Sequence, residues 1–462
     1  MKLRLLFAAA LAVISTAAHA QTSYNVTGAT AFRTATINSI INGYGGLAAC
    51  GVVHSGAAGA QGGANAISFF GTFAGLPNTT IRCRFSGATE GIRDLVGTTV
   101  PGTPNDVFYY PDALIPAIGT ITALNQNSNP VGANVALKPD VAFSDVQQTN
   151  SPYRTPVLGP ADSRVGVVTF VFCKSEGSSA NLTNVTAQAW RATLASNRGV
   201  PLNVYTGLAA DQSGRVLATG RNDGSGTRAV YLIESGYGVS RLVNQFKLAA
   251  DGFNGVGAGV GGTAAGGVGA GGIARSLQLW PANDAQDANN NSVLWQTTLA
   301  NGNGGYFSSS NTSLLLQANT SSVRVLGPGG TDLPASGSYT PATAAGSPRA
   351  ISVVGFVGTN DGVTIAANGG GVLAYNGVLI TPVATGVDPT GLVPADRYKV
   401  TNGSYTMWSY ERLYSRGTLS ANQTTIDTAL RVAIPGGLAT NGIAISAMTA
   451  VRTNDGDIVT QP

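Results

Sequence analysis

Apolar and polar positions fall along this chain in short runs that alternate between strand-like and helix-like periods. Tyr24 to Thr27 reads as a strand, followed by Gly28-Ala29-Thr30 and a helical pattern from Ala31 to about Asn42. Residues 45–77 are Gly/Ala-rich without a period and are predicted to be irregular. Thr79 to Phe85 alternates as a strand, and Ser86 to Gly91 forms a turn into a short helix through Ile92, Leu95 and Val96. Residues 98–138 read as an insertion with a helix near 111–125. Asp140 to Phe143 is a short apolar strand ending at Ser144-Asp145.

The second half continues the alternation. Val165 to Phe172 is a β-branched, buried strand, and Leu182 to Leu194 a helix opened by Asn181 or Thr183. Val216 to Gly220 is a strand running through Arg221-Asn222-Asp223-Gly224-Ser225-Gly226-Thr227 into a helix from Arg228 to about Ser235. Residues 251–275 are a Gly/Ala/Val tract whose G-x-G-x-x-G match (Gly257, Gly259, Gly262) follows no strand, so a surface loop is expected rather than a dinucleotide site. A second insertion covers 319–349. Strands return at Ile351 to Val357, Val372 to Ala374 and Ser404 to Trp408, with an amphipathic helix around Thr424 to Val432. This order predicts an α/β protein with mainly parallel sheets.

The opening residues change the picture of where the protein works. Lys2 and Arg4 precede an apolar run from Leu5 to Ala18, and Ala18-His19-Ala20 is a small-x-small cleavage site. A cleaved signal peptide over 1–20 and a periplasmic or secreted protein starting at Gln21 are expected. The run is shorter than the ~20 residues that span a bilayer. The roughly 440 residues that follow exceed one comfortable core, so at least two domains are expected. Net charge falls from +4 for the whole chain to about +2 without the leader, too little to imply nucleic acid or a membrane surface.

Composition also excludes chemistry. His54 is the one histidine beyond the leader, which leaves histidine-based zinc sites and Ser-His-Asp catalysis without their residues. No metal or cofactor is expected. The 3 cysteines, Cys50, Cys83 and Cys173, allow at most one internal disulfide; Cys50 with Cys83 is the expected pair, and Cys173 a small buried hydrophobe.

What remains is anion chemistry. A strand ending in a Ser-Gly-Thr turn that opens a helix presents unpaired N–H groups and two hydroxyls, a setting that favours negative charge. Arg221 adds a planar fork of donors suited to a tetrahedral oxyanion, and Asp223 is placed to hold that guanidinium. Thr30 at the first strand–helix junction, and Ser86 with Thr89 at the second, repeat the pattern. Asp145 lies at a strand's C-terminal end, where open α/β sheets bind ligands. A carboxylate there tolerates an anion that brings its own proton, as phosphate does at neutral pH and sulfate does not.

Four runs, in this order, resemble the periplasmic phosphate-binding proteins of ABC-type uptake: Thr27-Gly28-Ala29-Thr30-Ala31-Phe32, Ser86-Gly87-Ala88-Thr89-Glu90-Gly91, Asp140-Val141-Ala142-Phe143-Ser144-Asp145, and Arg221 to Thr227. Weaker islands are similar too, among them Gly302-Asn303-Gly304-Gly305 and Val354-Gly355-Phe356-Val357-Gly358. The first run has an extra residue between Thr30 and Phe32. In the second, Glu90 stands where the family usually has a small residue, and must point away from an anion.

The resemblance implies a two-lobed, periplasmic-binding-protein-like (Venus flytrap) α/β fold with Gly-rich loop insertions. The first lobe would be residues 21–165 with 386–462, the second 166–385, joined by crossing segments near 165 and 385. It also implies that Thr30, Ala31, Phe32, Thr89 and Asp145 line one wall, and Arg221, Ser225, Gly226 and Thr227 the other, with Asp223 behind Arg221. The expected role is capture of a small oxyanion, phosphate first, by a monomeric, non-enzymatic receptor that serves an ABC permease. A structural or surface protein that keeps this fold with another ligand or none is the alternative. A hydrolase using Ser225 would lack a base beside it.

Overall fold

The computed structural model describes residues 21–97, 104–126, 134–248, 276–282, 300–321, 323–329, 351–384, 387–388, 390–436 and 442–461. The expected signal peptide over 1–20, the Gly-rich tract at 251–275 and the expected crossing near 385 lie outside them.

A 13-stranded sheet carries the molecule. In chain order its strands are β1 (Thr22–Gly28), β2 (Cys50–His54), β3 (Ala66–Phe73), β4 (Leu76–Phe85), β5 (Ile121–Ala123), β6 (Val141–Ser144) and β7 (Arg164–Lys174). They continue as β8 (Asn184–Val185), β9 (Val200–Pro201), β10 (Arg215–Ala218), β11 (Ile351–Gly358), β12 (Gly371–Tyr375) and β13 (Trp408–Ser415). The spatial order is β9-β10-β11-β7-β13-β6-β1-β4-β3-β2-β5, with β12 paired to β7 and β8 to β12.

β7 belongs to both halves. Its residues 164 and 166–169 pair with β13 across a bulge at Glu411/Arg412, while 170–174 pair with β11 and 172–174 with β12. Between its end residues, β7 is buried on both faces, which is why it reads as an unbroken apolar run rather than an alternating one. Phe172 anchors the second half, 4.9 Å from the Phe356 ring and edge-on to Trp190 at 5.1 Å. Each such aromatic pair contributes about 0.5–1.5 kcal/mol beyond the area it buries.

The helices that matter below are α1 (Arg33–Gly43), α2 (Ala88–Val96), α3 (Ala187–Ala195), α4 (Gly226–Glu234), α5 (Ser309–Leu316) and α6 (Thr359–Ala367).

Several expectations are corrected. The sheet is mixed: β1/β4, β1/β6 and β10/β11 are parallel, but β7 and β13 run antiparallel to each other and to β11 and β6. The stretch 45–77 holds β2 and β3, and β2 is buried at every position, so no polar alternation marks it. Residues 111–125 are not helical; Pro116 and Gly119, at φ +84°, interrupt a 3-10 turn at Asp112–Leu114 before β5. α3 starts at Ala187, where Thr186 Oγ1 accepts from Ala189 N at 3.1 Å, because residues 184–185 are taken into β8. The strand foreseen at Ser404 to Trp408 begins only at Trp408.

The expected Cys50–Cys83 bond is absent, and all three cysteines are buried thiols. Cys50 on β2 faces Gly71 of β3, whereas Cys83 on β4 faces Ile67 of β3. A whole strand separates them, so their backbones lie about 9–10 Å apart or more, beyond the ~7 Å a disulfide bridges.

Candidate functional site

β1 runs parallel to both β4 and β6, and their C-terminal ends lie side by side, with Gly28 level with Phe85 and Phe143. Gly28 has φ +112°, and a side chain there would overlap the Phe143 backbone, so only glycine closes this junction. Backbone bonds knit it: Ala29 N to Phe143 O at 2.8 Å, and Ser86 N and Gly87 N to Gly28 O at 2.9 and 3.0 Å. Around it, Thr27 Oγ1, Ser86 Oγ, Thr89 Oγ1 and Asp145 Oδ1 are buried without a hydrogen-bond partner among the described residues. Buried polar atoms are nearly always paired, and leaving one unpaired costs about 1–3 kcal/mol. Three of the four lie at or just beyond the strand ends, and Thr89 lies in the first turn of α2.

The second half meets this edge through the start of α4. Ser225 caps α4, its Oγ accepting from Arg228 N at 3.4 Å. A Cβ on Gly226 would overlap Asp145 Oδ1 and crowd Ala88, so the helix start sits flush on the carboxylate. Glu90 N donates to Gly224 O at 3.0 Å, joining α2 to the same turn. The Glu90 side chain forms an ion pair with Arg93 at 3.2 Å, and its Oε2 borders Gly224 of the turn.

Arg221 is buried, donating from Nε to Tyr306 O at 3.3 Å and from Nη1 to Ser309 Oγ at 3.0 Å. Those two groups orient it. Asp223, expected in that part, is instead exposed on the lining of a smaller cavity of 150 Å³, where Arg228 is the cation that most affects its carboxylate. The geometric reason is that the Gly224 turn carries Asp223 outward while Arg221 pairs inward with Tyr306.

A cavity of 640 Å³ opens at Thr227, next along α4 from Gly226, and neither Arg221 nor Thr27, Ser86, Thr89 or Asp145 lines it. Thr30, Ala31 and Thr227 form one wall, and residues 308–311 and 358–361 form another. Helices α1, α4, α5 and α6 all present their first-turn residues to it. Each helix start carries about +0.5 of a charge. Neither α1, capped by Phe32, nor α6, capped by Gly358, has a side-chain cap on its first N–H groups.

Charges alternate around this space. Burial pushes the Asp145 carboxyl up to about 7, opposed first by Arg221. Burial raises Asp361 to about 6, opposed by Arg221 and Arg33. The same desolvation lowers Arg221 and Arg33 to about 10, with Asp145 and Asp361 supporting Arg221, and Asp361 supporting Arg33. Both arginines stay charged at neutral pH. Glu411 on β13, beside Asp145, is fully buried with neither oxygen bonded to any described residue, and burial drives its carboxyl well above the usual range.

Of the residues singled out from sequence, Thr30, Ala31 and Thr227 line the cavity; Asp145, Arg221, Ser225 and Gly226 do not, although Gly226 packs on Asp145 beside Thr227. Phe32 is buried in the core and offers only its backbone. Thr89 is buried at the α2 start and faces the smaller cavity with Asp223. Sequence reasoning missed Arg33, Thr169, Ser308–Ser310 and Asp361. The available signals were Arg33 directly after the Thr-Ala-Phe turn, and the Gly358-Thr359-Asn360-Asp361 strand-to-helix junction.

No family model matches this chain, and no curated protein does. Three solved structures show a weak likeness to it. One from Clostridium perfringens, provisionally described as a phosphate ABC transporter substrate-binding protein and holding phosphate, is 9% identical with a TM-score of 0.41, covering 92% of this chain and 100% of that one. PstS from Borrelia burgdorferi is 9% identical with a TM-score of 0.31, covering 88% of this chain and 92% of that one. A protein from Planctomyces limnophilus, provisionally described as phosphate binding, is 8% identical with a TM-score of 0.34, covering 91% and 98%. At that level the likeness identifies neither ligand nor site.

Proposed function

We propose that this chain is an exported, monomeric solute-binding protein that captures a small oxyanion, phosphate first, between two lobes and presents it to an ABC-type permease. The lobes are residues 21–165 with 386–462, and residues 166–385, and closure turns about β7. The observation that carries the reading is the group of buried atoms without a partner among the described residues, Thr27 Oγ1, Ser86 Oγ, Thr89 Oγ1 and Asp145 Oδ1, gathered where the α4 start packs on Asp145 and the buried Arg221 supplies a cation. An oxyanion takes hydrogen bonds from the hydroxyls, the α4 N–H groups and Arg221, and its own proton satisfies Asp145. The role is capture without bond chemistry: Ser225 is engaged as a helix cap, and its Oγ has no described histidine or lysine hydrogen-bonded to it.

Calorimetric titration of phosphate-stripped protein with phosphate, sulfate serving as control, tests this directly. Micromolar or tighter binding of phosphate alone is expected. No heat with either anion, from protein shown to be folded, would sink the reading and leave a surface protein that keeps the fold.

A further inference from the structure

The cleft is much larger than an oxyanion. Its 640 Å³ falls inside the ~300–1,000 Å³ of small-molecule pockets. At ~30 Å³ per water it holds the space of roughly twenty waters, whereas phosphate has only five heavy atoms. The remainder is built for polar contact. Thr169, on the β7 floor, is 4% exposed, lines the cavity, and its Oγ1 has no partner among the described residues. Arg33 Nη1 donates to Asn65 Oδ1, but Arg33 Nε is buried without a partner among the described residues. Asp361, hydrogen-bonded to Ser310, feels both Arg33 and Arg221.

These groups ask for a body that donates to Asp361 and accepts from Thr169 and Arg33. An ammonium group would stand near two arginines. A second phosphoryl group would face the Asp361 carboxylate. A flat apolar ring would desolvate Thr169, Arg33 and Asp361 without pairing them, which costs free energy for every group left bare. Hydroxyl groups satisfy all three, because each both donates and accepts.

We propose that the cleft takes a small phosphate monoester of a polyol. Its phosphoryl group sits at the wall of Thr30, Ala31 and Thr227 backed by Arg221, and its hydroxylated body lies over Thr169 between Arg33 and Asp361. This rests on the oxyanion-binding reading above and names the class of molecule that carries the anion.

The test is calorimetry on the full mature chain with orthophosphate, glycerol 3-phosphate, glucose 6-phosphate and pyrophosphate, using wild type, Asp361→Asn and Thr169→Val. At least one ester is expected to bind about tenfold or more tighter than orthophosphate. Asp361→Asn is expected to cut that ester-to-orthophosphate ratio about tenfold, equivalent to about 1.4 kcal/mol. Thr169→Val, which keeps the side-chain shape, is expected to cut it about threefold if Asp361→Asn fails to fold. Orthophosphate or pyrophosphate binding tighter than both esters overturns the proposal and leaves the oxyanion reading intact, as does a ratio unmoved by the folded variants. Absence of heat with every ligand removes both.

Discussion

Gly226, the first residue of α4, lies flush against the Asp145 carboxylate, so the two halves meet backbone to side chain with no room for a Cβ. Gly226→Ala is therefore expected to force them apart. Overpacking of this kind costs about 1–3 kcal/mol, and phosphate affinity should drop along with it. Denaturant unfolding and calorimetry on the same variant check this; wild-type values in both would refute the contact.

Arg221 is the buried cation that most supports the Asp145 carboxylate at the α4 start. Arg221→Ala removes charge-assisted hydrogen bonds worth about 1.5–3 kcal/mol, so phosphate affinity is expected to fall roughly 10- to 150-fold. Arg221→Lys should recover only part of the loss, since an ammonium cannot reach Tyr306 O and Ser309 Oγ with the same fork. Titration of both variants measures the difference.

Selectivity between phosphate and sulfate is expected to depend on pH through Asp145, whose carboxyl burial raises to about 7. Above that value the carboxylate is ionised and repels sulfate, while phosphate still brings a proton. Below it the neutral carboxyl donates to either anion. The phosphate-to-sulfate affinity ratio should rise between about pH 6 and pH 8 in wild type and stay flat in Asp145→Asn. A flat wild-type profile would remove Asp145 from the discriminating role.

Glu411 predicts a stability effect of definite sign. Its folded-state value is raised by burial, so the folded chain keeps a proton that the unfolded chain releases near pH 4.3. Its contribution is full below that pH and declines as pH climbs toward the raised value. Glu411→Gln has no proton to lose, so its melting temperature relative to wild type is expected to increase from pH 5 to pH 8. A constant offset across that range would contradict the buried, proton-holding carboxyl.

Thiol titration addresses the cysteines. Cys50, Cys83 and Cys173 are buried and unbonded, so three thiols should react after unfolding in denaturant without reductant, and none in the native protein. One reactive thiol after unfolding would restore a disulfide.

The sequence shows the anion edge more clearly than the sheet around it. Gly28, Ser86 and the Ser225-Gly226-Thr227 turn are local events, each a strand handing over to a helix, and local signals survive in sequence. β2 was hidden because Cys50-Gly51-Val52-Val53-His54 is buried throughout, leaving no period to detect. The opposite failure occurred at 111–125, where apolar spacing resembled a helix but Pro116 and Gly119 decided the backbone. Arg33 and Asp361 could not be paired from sequence at all. Only the sheet order from β1 through β6, β13 and β7 to β11 brings residues so distant in the chain to one cavity.

That same order gives β7 a mechanical character. A receptor hinged on a loop concentrates its motion in a few dihedral angles. Here a single strand, Arg164–Lys174, pairs with β13 along its first part, across a bulge at Glu411/Arg412, and with β11 along its second, so the closure proposed above would be spread along it as added or released twist. Under that proposal β7 is a torsion bar: closure would twist it, and the ladder on either side, rather than the ligand, would return the halves to their register.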